Sequence, residues 1–257
     1  MRDRHQSKSE EKYHGIRACE AIVARRRGDI VRVYVAEDRR GRWADLLAWC
    51  ARDRRGFQVV PTASLERLSG STHHEGIVIL ARAYPRLSID EVLSRIGSGG
   101  AKGPLVYLDG VQNPHNLGAI LRTAAHFGAC GVLGAVGQLP PLSPAAVRVA
   151  EGAAEHVPVC GLSDPVADLV RLKAMGYRVV ATSSRGGVPP TAALFSGRTL
   201  LVLGSEAEGV SGPLRALADA TVAIPGTGAV ESLNVSVACG VLLAAAWSPG
   251  RRGGASD

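Results

Sequence analysis

Six short apolar segments alternate with helical patterns over residues 104–248, and this alternation restricts the folds that the chain can adopt. A helix between two strands carries the chain back across the sheet, so the next strand runs in the same direction as the last. We therefore predict an α/β fold with a mostly parallel sheet covered on both faces, whose ligands lie beyond the carboxyl ends of the strands. The predicted strands are Leu105–Leu108, Gly131–Leu133, Val157–Cys160, Arg178–Ala181, Thr199–Leu203 and Thr221–Ile224.

A smaller α/β module precedes this region. Its predicted helices are Ile16–Arg26, Trp43–Arg52 and Ser64–Leu68, and its predicted strands are Ile30–Val35, Phe57–Val60 and Ile77–Ala81. Ser88 and Glu91 have the spacing of a capping box, which predicts a short helix to Ile96 before the Gly- and Ser-rich run 97–103. We therefore divide the chain into a flexible basic arm (1–14), a small α/β domain (15–84), a linker (85–103), a larger domain (104–249) and a disordered tail (250–257).

The excess positive charge lies in the first part of the chain. Residues 1–102 contain 20 Lys and Arg against 13 Asp and Glu, whereas residues 103–257 contain 10 of each. A phosphate backbone favours such clustered arginines, because neutralising it releases counterions. The module therefore suits an anionic polymer, although a solvated Arg-rich surface explains the composition equally well.

Several classes of protein are disfavoured by the sequence. No apolar run reaches the roughly 18 residues of a membrane span, and the polar N-terminus lacks the apolar stretch of a secretory signal, so we expect a cytoplasmic protein with no membrane partner. The five cysteines form no CxxC pair and the histidines lack ligand spacing, so we expect buried thiols and no metal site. An ATPase or a nucleotide-dependent oxidoreductase would need a phosphate loop or dinucleotide fingerprint that the chain lacks.

Three loops at predicted strand ends contain the candidate functional residues. In the first, Asn116 can cap the following helix, whose free N–H groups form an anion site. Arg122 leans back over Gly118 on the same helix, so the pair would bind a phosphate. The alternative is an ordinary cap beside a surface arginine.

The other two loops follow later strands. Gly204–Gly209 contains two carboxylates, Glu206 and Glu208, that could orient a ligand. The third loop continues from Gly226–Gly228 to Ser232 and Asn234, which open an apolar helix of small residues. Ser232 and Asn234 can cap that helix or contact a ligand. Because each loop alone is consistent with ordinary turns and caps, only their combination indicates function.

In this order the three loops resemble the signature motifs of the SpoU (TrmH-type) RNA 2′-O-ribose methyltransferases, members of the SPOUT superfamily. The resemblance covers residues 104–248 and includes the run 151–156 between the first two motifs. The N-terminal module is similar to the ribosomal-protein-like RNA-binding domain of the rRNA-modifying members. Its His73-His74-Glu75-Gly76 stands where those proteins have a His-Gln-Gly-like turn, so the middle residues depart from the pattern.

The resemblance implies a trefoil-knotted α/β fold, an S-adenosylmethionine cofactor, an RNA substrate and a homodimer. The additional N-terminal domain favours ribosomal RNA over transfer RNA. Carried over position by position, the motifs imply a catalytic set of Asn116, Arg122, Glu206, Ser232 and Asn234. They imply a cofactor pocket at Gly204, Ile224, Leu233 and Thr182. The competing hypothesis is a catalytically weak RNA-binding or ribosome-assembly factor on the same fold.

Overall fold

The computed structural model describes residues 9–99 and 103–247, which form two compact units. One unit comprises the chain up to Pro85 together with Leu142–Glu155, and the other comprises Arg86–Pro141 and the chain from His156 onwards. The sequence did not predict that Leu142–Glu155 packs with the N-terminal module. The predicted tail beyond residue 249, arm residues 1–8 and linker residues 100–102 lie outside the described part of the chain.

After the first strand, Glu10–His14, which was not predicted, the predicted helices and strands appear in the predicted order. In chain order the helices and strands are β1 (Glu10–His14), α1 (Ile16–Arg25), β2 (Ile30–Ala36), α2 (Ala44–Arg52), β3 (Gly56–Val60), α3 (Thr62–Ser69), β4 (Ile77–Arg82), α4 (Ile89–Gly99), β5 (Leu105–Asp109), α5 (Pro114–His126), β6 (Gly131–Ala135), α6 (Pro144–Val149), β7 (Val159–Leu162), α7 (Pro165–Ala174), β8 (Arg178–Thr182), β9 (Thr199–Gly204), α8 (Gly212–Ala216), β10 (Ala220–Val222) and α9 (Val235–Ala246).

The first unit is built on a sheet in the order β1-β4-β2-β3, in which β2 and β3 are parallel and the other pairs are antiparallel. Strand β1 corrects the prediction of a flexible arm up to residue 14. Its charged residues hide the strand in the sequence, since an edge strand has no continuous apolar pattern. Pairing with β4 satisfies its backbone, and Tyr13 and His14 at its end are buried.

A buried ion pair holds the inserted segment within this first unit. Arg26 Nε donates a 2.7 Å hydrogen bond to Oε1 of Glu155, and the two side chains are 11% and 7% exposed. The Tyr84 hydroxyl donates to the same oxygen at 2.7 Å, and the Arg26 guanidinium lies 3.7 Å from the centroid of the Tyr84 ring. Burial and the charge of Glu155 raise the pKa of Tyr84 above its usual value, so its hydroxyl stays protonated.

Within residues 103–247, six strands form an all-parallel sheet in the order β10-β8-β9-β5-β6-β7. Every residue of β5 is buried, as expected for a central strand covered on both faces. The predicted mostly parallel sheet is therefore confirmed, whereas the knot stays a prediction. Because β5 and β9 are neighbours, the first and second predicted loops leave the sheet side by side.

Helix α4 begins at the predicted capping box. The Ser88 N–H donates to Oε2 of Glu91 at 2.8 Å, and the Glu91 N–H donates to the Ser88 hydroxyl at 3.3 Å. The Ser88 bonds also lower the pKa of Glu91. The helix runs to Gly99 rather than Ile96, so it includes the first three residues of the Gly- and Ser-rich run 97–103.

The start of α5 corrects one predicted cap. The helix begins at Pro114, and the N-cap is Asn113, whose Oδ1 accepts a 2.9 Å bond from the His115 N–H. Proline suits the first helical position, because its fixed φ is helical and its missing N–H would have no partner there. Asn116 therefore lies in the first turn of α5, and its side chain is available for another contact.

Among residues 9–99 and 103–247, no helix combines the length and apolar character that a membrane span requires.

Candidate functional site

A cavity of about 630 Å³ lies beyond the carboxyl ends of β8, β9 and β10, where the topology of the sheet predicts a ligand site. This volume lies within the range of roughly 300–1,000 Å³ that is typical of sites for small organic ligands. Its walls come from the loops after these strands and from the start of α9. The lining includes Thr182, Gly204, Ser205, Glu206, Glu208, Val210, Ile224, Ser232, Leu233 and Leu242.

Asn234 forms a polar cluster beside this cavity. It is the N-cap of α9, and its Oδ1 accepts bonds from the Ser236 N–H at 2.9 Å and the Ser236 hydroxyl at 2.6 Å. Its Nδ2 donates to Oε1 of Glu206 at 2.8 Å and to Oδ1 of Asn116 at 3.2 Å. One asparagine therefore joins the first, second and third predicted loops.

The direction of these hydrogen bonds is fixed by one backbone group. The Ser236 N–H can only donate, so the Asn234 atom that faces it must be the oxygen. The Asn234 amide nitrogen then points to Asn116 and Glu206, and both of its hydrogens are used. Since Asn116 accepts through its oxygen and no residue in the described part of the chain accepts from its amide nitrogen, its own N–H groups can donate to a ligand.

The structure brings together eight of the nine residues predicted for the site. Glu206, Ser232, Gly204, Ile224, Leu233 and Thr182 line the cavity, and Asn116 and Asn234 join Glu206 at its edge. Arg122 is the exception: it lies on α5, is exposed, and has no hydrogen-bond or ion-pair partner within residues 9–99 and 103–247. The roles of all nine stay predictions.

Sequence reasoning missed two residues that shape this site. Ser236 orients the Asn234 amide. Its position two residues after the N-cap allows its side chain to hydrogen-bond to the N-cap residue. Asp109, the last residue of β5, has no obvious sequence signal, yet its carboxylate accepts a 2.7 Å bond from the Ser211 N–H. Each acts on a loop that contains a predicted catalytic residue.

The described residues around the cavity support neither a metal centre nor a cysteine nucleophile. Within the described part of the chain, no three His, Cys, Asp or Glu side chains are grouped as metal ligands. Burial raises the pKa of Cys239 on α9 to about 12, so this thiol is not a nucleophile at neutral pH. The remaining candidates are the amides, hydroxyls and carboxylates of the loops.

Comparison with known protein families gives a match in each part of the chain. Residues 14–87 match the model described as "RNA 2'-O ribose methyltransferase substrate binding", which places the protein among RNA-modifying methyltransferases. Residues 103–244, more than half of the chain, match the SpoU rRNA Methylase family. The chain belongs to that family. The predicted family and enzyme class are thereby confirmed.

Two similar sequences and one solved structure extend this finding. The chain is 38% identical over 245 residues to an uncharacterised tRNA/rRNA methyltransferase, YfiF, of Escherichia coli O157:H7, covering 95% of this chain and 70% of that protein. It is 37% identical over 232 residues to the 23S rRNA (guanosine-2′-O-)-methyltransferase RlmB of Ralstonia nicotianae, covering 87% and 90%. The SpoU methyltransferase AviRb of Streptomyces viridochromogenes, solved with AdoMet, is similar with a TM-score of 0.72 and 25% identity, covering 92% and 89%.

Proposed function

We propose that this protein transfers a methyl group from S-adenosylmethionine to a ribose 2′-hydroxyl of structured RNA, and that ribosomal RNA is the substrate. The observation that carries the proposal is the Asn116–Asn234–Glu206 cluster at the edge of a cavity large enough for a nucleoside cofactor. A fold retained only for RNA binding would not need a cluster that joins three distant loops. The similarity to RlmB supports ribosomal RNA as the substrate class.

The cavity fits the proposed cofactor chemically. Leu203, Val210, Ile224 and Leu242 supply apolar surface for an adenine ring and a methylene chain, while Glu206 and Glu208 supply negative charge that suits a sulfonium. When bound, S-adenosylmethionine supplies an electrophilic methyl group. The residues at Gly204, Ile224, Leu233 and Thr182 would hold it.

The cluster then positions the acceptor. The free N–H groups of Asn116 would donate to a ribose or phosphate oxygen of the RNA, and Ser232 would align the reacting hydroxyl. Holding the two reactants in line could lower the barrier by roughly 7–11 kcal/mol. Because both N–H groups of Asn234 are engaged, its role is to hold Asn116 and Glu206 in place.

Arg122 would hold the phosphate of the target nucleotide and stabilise the negative charge that develops on the 2′-oxygen. A guanidinium stays protonated in proteins, so Arg122 cannot be the base that removes the hydroxyl proton. Its lack of a partner among the described residues leaves its fork available for a phosphate.

A homodimer in the cytoplasm is part of the proposal. Val237 and Val241 are spaced four residues apart on α9, so they share one face of the helix, and both are exposed in the single chain, as is Leu233 just before the N-cap. A second copy covering this face would bury apolar surface beside the active site.

The decisive experiment is transfer of a tritiated methyl group from S-adenosylmethionine to total RNA from a strain that lacks this protein. We expect labelling of ribosomal RNA and one blocked 2′-hydroxyl when the RNA is mapped. Binding of RNA without any labelling would favour the alternative of an assembly factor.

A further inference from the structure

Asp109 is a carboxylate at the end of the central strand β5 that the proposed mechanism does not use. It is 9% exposed, and its Oδ2 accepts a 2.7 Å hydrogen bond from the backbone N–H of Ser211. A buried carboxylate is costly unless its lone pairs find donors, so this bond joins the strand firmly to the loop that follows β9. In the sheet, Asp109 is paired with Gly204, the residue from which the same loop departs.

The loop between these two points folds back sharply on the end of β9. A side chain at Gly204 would place its Cβ only 1.9 Å from the carbonyl carbon of Gly209, so the two backbones are in close contact. The Gly209 N–H donates to the Ser205 carbonyl at 2.9 Å, and the Glu208 N–H donates to the Ser205 hydroxyl at 3.1 Å. Glu206 lies at the tip of this turn.

We infer that Asp109 is a positioning residue for the methyl transfer, because it anchors the turn that presents Glu206 to Asn234. Gly204 fixes where the turn begins, and the bond between Asp109 and Ser211 fixes where it ends. Without that second anchor, Glu206 would lose the restraint that keeps its Oε1 2.8 Å from Nδ2 of Asn234. The inference rests on the proposed function only for the effect on turnover.

The test compares Asp109→Ala, Asp109→Asn and Ser211→Ala in the full-length protein. Asp109→Ala removes the acceptor, and we expect turnover to fall about 10²-fold, because a displacement of about 1 Å at a reacting group costs that much. Asp109→Asn keeps an oxygen that can accept from Ser211, so it should retain turnover within about fivefold of the native protein. Ser211→Ala keeps the backbone N–H and is the control that should change nothing.

Two further measurements distinguish a positioning role of Asp109 from a general loss of structure in its variants. Hydrogen exchange of residues 204–212 in the cofactor-free protein should become at least tenfold faster in Asp109→Ala and stay slow in Asp109→Asn. In a Glu206→Gln background, Asp109→Ala should cost less than about threefold, since the residue through which it acts is already impaired. The inference would be wrong if the losses of turnover from Asp109→Ala and Glu206→Gln multiplied fully in the double variant. It would also be wrong if hydrogen exchange of residues 204–212 were unchanged in Asp109→Ala. If the native protein were inactive, that result would count against the proposed function instead. The hydrogen-exchange data would still show whether Asp109 anchors the loop after β9.

Discussion

Asn234 Nδ2 and Glu206 Oε1 are 2.8 Å apart, and this hydrogen bond joins the N-cap of α9 to the tip of the loop after β9. The same nitrogen donates to Asn116 at 3.2 Å. The bond therefore makes one asparagine both a structural cap and the connection between two predicted catalytic residues.

These two roles can be separated by Asn234→Asp. Aspartate caps a helix as well as asparagine does, so thermal stability should stay near that of the native protein. The variant cannot donate to Asn116 and places two carboxylates together, so turnover should fall about 10²-fold. Asn113→Asp makes the same change at the N-cap of α5 and is the matched control. Equal turnover in the two variants would contradict the connecting role.

Gly204→Ala tests the wall of the cavity. The added methyl would lie 1.9 Å from the backbone of Gly209, and relieving such a contact typically costs about 1–3 kcal/mol. We expect the affinity for S-adenosylmethionine in calorimetry to fall about 10–100-fold. Gly212→Ala is the control, since nothing lies within 4 Å of its added Cβ. Similar affinities for the two variants would place the cofactor elsewhere.

Arg122→Lys tests the proposed phosphate contact. Lysine keeps the positive charge, so RNA affinity should change little, but it lacks the planar fork that binds two oxygens. Turnover should fall about 10²–10³-fold, as when a donor to a developing oxyanion is removed. If turnover stayed close to that of the native enzyme with normal RNA binding, Arg122 would not have this role.

The basic first unit should supply most of the RNA affinity. Arg32, Arg40 and Arg54 are exposed and have no ion-pair partner within the described ranges 9–99 and 103–247. Replacing all three with Gln should reduce the slope of log affinity against log salt by roughly 0.7–0.9 for each phosphate that the variant no longer neutralises. Arg178→Gln, an exposed change in the second unit, is the control. An unchanged slope in the triple variant would place the RNA on another surface.

The ion pair between Arg26 and Glu155 should be essential for stability. Glu155→Ala leaves the buried guanidinium, among the described residues, with only the longer 3.7 Å ion pair to Asp29, and breaking a buried pair typically costs about 3–5 kcal/mol. Tyr84→Phe removes only the hydroxyl that donates to Glu155, so we expect a loss of about 1 kcal/mol. Denaturant unfolding of the full chain gives both values. Equal losses of unfolding free energy in the two variants would mean that the charge of Glu155 does not stabilise the fold.

Local patterns along the chain were enough to predict the parallel sheet and the order of the helices and strands after β1, and the family was predicted from the resemblance of three loops to known motifs. Apolar runs predict strands, and Asp164 before Pro165 predicts the start of α7, where Asp164 Oδ1 accepts from the Ala167 N–H. Local patterns could not show β1, because an edge strand is recognisable only once β4 lies beside it. The N-cap at Asn113 was misassigned to Asn116, since both asparagines fit the start of a helix.

The connections among the candidate residues, in contrast, depend on the folded chain. The bonds from Asn234 to Asn116 and Glu206, from Asp109 to Ser211, and from Arg26 to Glu155 all join positions far apart in the chain. No periodicity or motif spacing encodes such pairs, because they form only where the folded chain brings distant segments together, as strand order does for the loops at one edge of the parallel sheet. Hydrogen-bond direction likewise depends on which donor faces each amide, and that is a property of the folded neighbourhood.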